Sequence, residues 1–217
     1  MDFSLMFNFL ERLQKNNHKD WMDQHRKEYF AVRNSFIDWL DKMNGKLAEI
    51  DPDYFDTPGK KAINRINNNL MFFPNKPVYK DHFGAGLDQL SKQGDFYIEI
   101  GVAESFLGGG YWYPSSKVLK SIREAIDYNG VELESIIYKK SFQELFGGCL
   151  PAETLKNAPK GYTNDHPYID LLKMKSFAAG VTFSRKEVLA PSFENKVLDV
   201  YSELLPFRRY LNKAISV

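Results

Sequence analysis

Apolar residues recur at helical spacing from the first turn onward. Leu5, Met6, Phe9, Leu10 and Leu13 fall on one side, Ser4 is placed to cap them, and Asn16-Asn17 ends the run. Asn17 then stands as an N-cap with Asp20 three residues on, an aspartate version of the capping box. Trp21, His25, Tyr29, Val32, Phe36, Leu40, Met43 and Leu47 follow in steps of three and four. The pattern predicts one long helix from His18 to Glu49. Asp51-Pro52 closes it, because the residue before a proline is pushed out of helix.

The period changes to two in the middle of the chain. Phe96, Ile98, Ile100 and Val102 alternate with Tyr97, Glu99, Gly101 and Ala103, as in a half-buried strand. Gly108-Gly109-Gly110 reads as a turn or bulge, with Tyr111-Trp112-Tyr113 as the returning strand. Further strands are expected over Ala62 to Asn67 and Phe177 to Phe183. Ser115 or Ser116 caps a helix carrying Val118, Leu119, Ile122 and Ile126, which leaves at Gly130, and a short helix follows over Val131 to Lys140. Asp165 is read as the cap of a helix beginning at Asp165-His166-Pro167. Phe193, Val197, Val200 and Leu204 mark a C-terminal helix that Pro206 interrupts or kinks before Phe207 and Leu211 continue it. The order of elements predicts an α+β fold, with a long N-terminal helix and C-terminal helices packed around a mainly antiparallel central sheet. Residues 1–217 are expected to form a single domain.

Composition narrows the function classes. The chain is 43% hydrophobic and 15% aromatic, enough for a core dominated by flat rings. Twenty-nine basic against 28 acidic residues leave a net charge of +1, which argues against a nonspecific nucleic-acid binder. The single Cys149 forms no intrachain disulfide, in keeping with a reducing compartment. No apolar run approaches the roughly 20 residues that span a bilayer. The N-terminus lacks the basic start and apolar stretch of a signal peptide. A cytoplasmic protein without a membrane partner is expected.

Three stretches carry a resemblance. The first is Phe9-Leu10-Glu11-Arg12-Leu13-Gln14-Lys15-Asn16-Asn17 with Trp21 and Tyr29. The second is Arg65-Ile66-Asn67 with Phe72, Asn75-Lys76 and Tyr79-Lys80. The third is Phe106-Leu107-Gly108-Gly109-Gly110 with Trp112, then Pro159-Lys160-Gly161-Tyr162 and His166-Pro167. Together they resemble the bacterial domain of unknown function 2461 (DUF2461) family over nearly the whole chain. The resemblance implies a bacterial, single-domain α+β protein with no assigned reaction. The signature of that family is Arg-x-x-Arg-Asp-x-Arg-Phe, followed by Asp or Asn, Lys, two residues and Tyr. Arg65, Phe72, Asn75, Lys76 and Tyr79 match it, whereas Asn68, Asn69 and Met71 replace three of its charged groups. An anion site built on those groups in relatives is expected to be weaker here. If they form a buried ion network instead, amides and a thioether can replace it.

Candidate chemistry concentrates between Arg65 and His82. Arg65, Asn67, Lys76, Tyr79 and Lys80 surround a loop stiffened by Pro74 and Pro77. Arginine grips a carboxylate or phosphate through two parallel hydrogen bonds, and lysine adds a point charge. The functional reading is a small-anion or nucleotide-like pocket, with Trp112 as a wall. The structural reading is a rigid loop whose Lys and Tyr tie strands together. Glu99, Tyr79 and His82 are the groups able to move a proton; equally, Glu99 is an exposed strand carboxylate if its face meets water. His25 on the apolar stripe reads as a hydrogen-bonded core histidine, and Cys149 as a buried bystander. The sequence contains no His-Glu-x-x-His and no cysteine pair, so neither a metal nor a cofactor is expected. Two classes of function stay open: a binding or interaction module, and an enzyme acting on a small anionic substrate. Nucleic-acid binding is a weaker third.

Overall fold

The computed structural model describes residues 1–89 and 94–215. The chain divides into two compact units, each assembled from separated segments. The first comprises Met1–Leu90, Phe96–Leu107 and Thr182–Leu198; the second comprises Ser91–Asp95, Gly108–Val181 and Asp199–Val217. The described residues contain a four-stranded, mainly antiparallel sheet in the order β1 (His82–Leu87), β2 (Phe96–Gly101), β3 (Ser105–Tyr111) and β4 (Phe177–Phe183). The α+β architecture is the one the periodicity predicts.

In the first unit, α1 (Phe3–Lys15) is capped by Asp2, whose carboxylate accepts the Ser4 N–H at 2.9 Å, so the cap falls two residues before the expected Ser4. The helix buries Phe3, Met6, Phe7, Phe9, Leu10 and Leu13, whereas Leu5 is exposed. The long helix expected over 18–49 is two helices, α2 (Lys19–Gln24) and α3 (Arg26–Ile50). They break at His25, with φ −105 and ψ 14. Its ring stacks on Trp21 at 3.9 Å, and its Nδ1 donates to the Trp21 carbonyl at 2.8 Å. That carbonyl also accepts the His25 backbone N–H at 3.0 Å, so one acceptor serves two donors where the helix turns. His18, rather than Asn17, caps α2.

The apolar stripe of α3 is buried as its spacing demands, at Val32, Phe36, Leu40, Met43 and Leu47, with Trp39 added. Its rings meet others of the same unit: Phe36 lies 6.0 Å from Phe83 of β1, and Trp39 lies 6.3 Å from Phe193. The expected strand over 62–67 is instead the end of a short helix α4 (Gly59–Ala62) and an extended segment. That segment touches β1 through one bridge, Ile63 to Ala85. β1 and β2 are antiparallel, with Gly84 opposite Glu99 and Ala85 opposite Ile98. Phe96, Ile98 and Ile100 are fully buried and Tyr97 and Glu99 half-buried, which is the predicted alternation.

In the second unit, Ser115 caps α5 (Ser116–Ile137), accepting the Val118 N–H at 3.4 Å. The two helices expected on either side of Gly130 are joined across a kink at Asn129. α6 (Lys140–Phe146) ends on the left-handed Gly147. α7 (Ile169–Lys173) starts after Tyr168, three residues beyond the expected Asp165-His166 start. Gly108-Gly109-Gly110 lies inside β3 and not in a hairpin bend; the bend is Val102–Glu104. The glycines serve close packing. Gly110, at φ +111, faces the backbone of Phe177 and Ala178, and a Cβ on Gly109 would come within 2.8 Å of Arg208 Cδ. Two last helices follow β4. The short α8 (Arg185–Val188) belongs to the first unit and carries a capping box of Ser184 and Glu187; α9 (Phe193–Ile215) continues through Pro206.

Candidate functional site

The segment singled out by sequence folds as a two-stranded ribbon. Asn68 donates its N–H to Val78 O at 3.0 Å, and Lys80 donates to Ile66 O at 2.8 Å, with Asn67 opposite Tyr79 between them. The outward edge of the returning arm is held by one side chain. The Asn17 carboxamide accepts the Tyr79 N–H at 2.8 Å and donates to the Tyr79 carbonyl at 2.9 Å. At its base the ribbon joins β1, where Asn64 donates to Gly84 O at 2.8 Å.

Next to this base, the less buried face of β1 and β2 carries His82, Tyr97 and Glu99. Side chains two residues apart on a strand share a face, and diagonal neighbours on paired strands come within reach. The Tyr97 hydroxyl donates to Glu99 Oε2 at 2.7 Å. His82 Nε2 lies 3.4 Å from the same oxygen, and His82 Nδ1 lies 3.2 Å from Asp81 Oδ1. Asp81 also accepts from Gln14 at 3.1 Å. Gly84 leaves room for this group: a Cβ there would stand 2.5 Å from the Tyr97 hydroxyl oxygen, so the ring would have to shift.

Lys80 feels Glu99 of this group together with two further cations. Burial holds the pKa of the Lys80 ammonium below its ordinary value; Glu99 opposes the shift, and the positive charges of Arg65 and Lys76 add to it. Lys80 is therefore half-buried in a field shared by two other cations and one carboxylate. Among the described residues, neither Arg65 nor Lys76 makes an ion pair. Lys76 Nζ sits 4.6 Å from the Phe73 ring centroid.

Other expected site residues lie elsewhere. Asn67 and Tyr79 line a cleft of about 370 Å³ together with Lys19, Asp23, Arg26 and Tyr29. Burial raises the Tyr79 phenol and Asp23 adds to the rise, while Arg26, paired to Asp23, opposes it. Trp112 belongs to the second unit, where it is exposed and meets Tyr113 edge-on at 5.0 Å. Burial pushes the Cys149 thiol up to about 12, so it is protonated at neutral pH. His166 Nε2 lies 3.0 Å from Asp127 Oδ1. Among the described residues, no three groups are placed to hold a metal ion, and no helix is long and apolar enough to cross a membrane.

The sequence pattern names Tyr97 without a role, reads Asn17 only as a helix cap and does not single out Asp81. The alternation of β2 does put Tyr97 on the face of Glu99, so that neighbour was available from the pattern. Asp81 and Asn17 were not, since their partners depend on how the ribbon folds back.

The family model described as "Conserved hypothetical protein (DUF2461)" matches residues 5–210. The chain belongs to the DUF2461 family. No curated protein and no solved structure matches it. In this DUF2461 chain the signature positions divide between two places. Arg65 and Lys76 contribute to the cationic group, and Tyr79 to the cleft. Asn68 uses its side chain within the ribbon, donating to Pro77 O at 2.9 Å.

Proposed function

We propose that this DUF2461 chain is a binding module for a small ligand that bears a phosphate or carboxylate and a hydrogen-bonding hydroxyl or amine. Arg65, Lys76 and Lys80 receive the anionic end, and Glu99, oriented by Tyr97 and His82, receives the donor. The observation that carries this reading is the pairing pattern. Arg65 and Lys76 have no carboxylate of their own among the described residues, while Glu99, the carboxylate that acts on Lys80, is already engaged by Tyr97 and His82. Arg65 and Lys76 are exposed, and a cation with no carboxylate partner is available to an incoming anion. The lone Cys149 supports a reducing, cytoplasmic setting.

A second reading has an observation of its own. His82, placed between Asp81 and Glu99, is arranged as a proton-transfer chain, which suits an enzyme acting on a small anionic substrate. The test is thermal denaturation with inorganic phosphate, pyrophosphate, citrate and nucleotides. Binding raises the melting temperature with ligand concentration. The rise is expected for the native chain and lost in Arg65→Ala. No rise with any of these anions would remove the anion-binding reading. Turnover abolished by Glu99→Gln, with binding intact, would favour the enzyme.

A further inference from the structure

The tip of the ribbon is the least expected surface of the molecule. Every residue from Leu70 to Pro77 is exposed, and four consecutive large apolar side chains head the loop: Leu70 at 36%, Met71 at 81%, Phe72 at 68% and Phe73 at 54%. Single exposed apolar residues are ordinary, but a contiguous group is a feature of interaction sites. This group is not a frayed end. Phe72 and Phe73 both donate their N–H to Asn69 O, at 3.2 and 2.9 Å, and Lys76 donates to Phe73 O at 3.1 Å. The arms below are tied by their ladder and by Asn17. The fold therefore presents the apolar turn on a braced stalk.

Charge decides what the turn meets. Residues 57–80 contain five cations, Lys60, Lys61, Arg65, Lys76 and Lys80, and no aspartate or glutamate, in a chain whose net charge is only +1. Lys60, Lys61, Arg65 and Lys76 are exposed. An apolar turn rimmed by cations matches an anionic lipid surface, in which the apolar side chains enter the acyl boundary and the cations meet headgroup phosphates. A projecting turn needs no complementary groove in a fluid interface. Nucleic acid fits less well. Stacking platforms present flat rings to successive bases, whereas the most exposed side chain here is the flexible Met71.

We propose that the 69–77 turn is a peripheral membrane anchor that inserts Leu70, Met71, Phe72 and Phe73 into anionic bilayers while Arg65 and Lys76 engage the headgroups. The inference rests on the reading above only in treating these cations as anion-binding groups. It concerns contact with one leaflet and not a spanning segment.

Flotation with phosphatidylglycerol/phosphatidylcholine vesicles tests it. The native chain floats with mixed vesicles and not with pure phosphatidylcholine. The doubly substituted Met71→Ser, Phe72→Ser chain, which alters only exposed positions and keeps the native circular dichroism, loses binding by about tenfold or more. Arg65→Ala weakens it and makes the dependence on phosphatidylglycerol content shallower. Absence of native binding to anionic vesicles overturns the proposal, as does undiminished binding by the double variant. So does a result in which the double variant changes only oligomeric state or single-stranded RNA binding. The thermal response to inorganic phosphate, read on the same proteins, separates the two ideas. A retained phosphate response without vesicle binding removes the anchor alone. Tip-dependent vesicle binding without any phosphate response removes the small-ligand site alone.

Discussion

Asn17 supplies both hydrogen bonds that the outward edge of Tyr79 lacks, accepting its N–H at 2.8 Å and donating to its carbonyl at 2.9 Å. A carboxamide matches a peptide group donor for acceptor, so a residue between α1 and α2 acts as a one-residue strand beside the ribbon. Part-buried backbone groups left without partners cost about 1–2 kcal/mol. Asn17→Ala is therefore expected to lower stability by about that amount and to raise amide exchange selectively over residues 66–80. Asn17→Asp keeps the acceptor and loses the donor, and it is expected to fall between native and Ala. Equal exchange in all three chains would mean that the ribbon is held by its own ladder alone.

Gly84 and Tyr97 are linked by space. A Cβ at position 84 would meet the Tyr97 hydroxyl oxygen at 2.5 Å and Cζ at 3.2 Å. Gly84→Ala must then move the ring and break its hydrogen bond to Glu99, at a cost of about 1–3 kcal/mol. Removing the hydroxyl first relieves the clash. In a Tyr97→Phe background the alanine is expected to cost at least about 1 kcal/mol less, measured by urea denaturation of the four chains of the cycle. Additive costs would place the strain somewhere other than this contact.

Periodicity was a good guide wherever burial followed from a repeating face. The alternation of β2, the stripe of α3 and the bounds of β4 (Phe177–Phe183) all stand where apolar spacing puts them. It failed where a single side chain decides the backbone. His25 carries a residue type that sits well in the apolar stripe, yet its ring bonds the Trp21 carbonyl and the helix breaks there. Gly108-Gly109-Gly110 has the composition of a turn, but its lack of side chains admits Arg208 and the β4 backbone. The Arg65–His82 segment folds as a ribbon whose strand pairing lies beyond local spacing. That Asn67 and Tyr79 line one cleft while Lys80 and His82 turn to the sheet face depends on the ribbon's pairing, which no local spacing encodes.

Arg208 is the largest buried charge described. It is 1% exposed on α9, donates Nε–H to Gly94 O at 3.0 Å and lies 5.6 Å from the Tyr201 ring. Burial raises the Asp95 carboxyl and the Arg208 charge opposes that rise. Arg208→Met keeps much of the volume but leaves a carbonyl and a carboxylate without their cation, at about 3 kcal/mol or more at neutral pH. Asp95 then climbs further and is more easily neutralised. The stability gap to the native chain is therefore expected to narrow between pH 7.5 and pH 5 in parallel denaturant titrations. A constant gap would show that Asp95 does not feel this guanidinium.

Glu194, in the first turn of α9, holds Lys42 at 2.8 Å and Lys46 at 2.6 Å and accepts the Trp39 indole N–H at 3.2 Å. Burial pushes its carboxyl up, but the hydrogen bonds and charges of the two lysines outweigh this and bring it to about 2. The folded value lies below the ordinary 4.5. The unfolded chain therefore takes up this proton first as pH falls, and the stabilisation is complete above about 4.5 and lost on the way down to about 2. With partial exposure discounted, the contribution is on the order of 2 kcal/mol. Glu194→Gln is expected to be less stable than the native chain at pH 7 and to approach it at pH 3. The lysines then face each other without their carboxylate, so Lys46→Met should recover part of the loss at pH 7. A deficit of the same size at both pH values would assign the effect of Glu194 to packing against Trp39 and not to its charge.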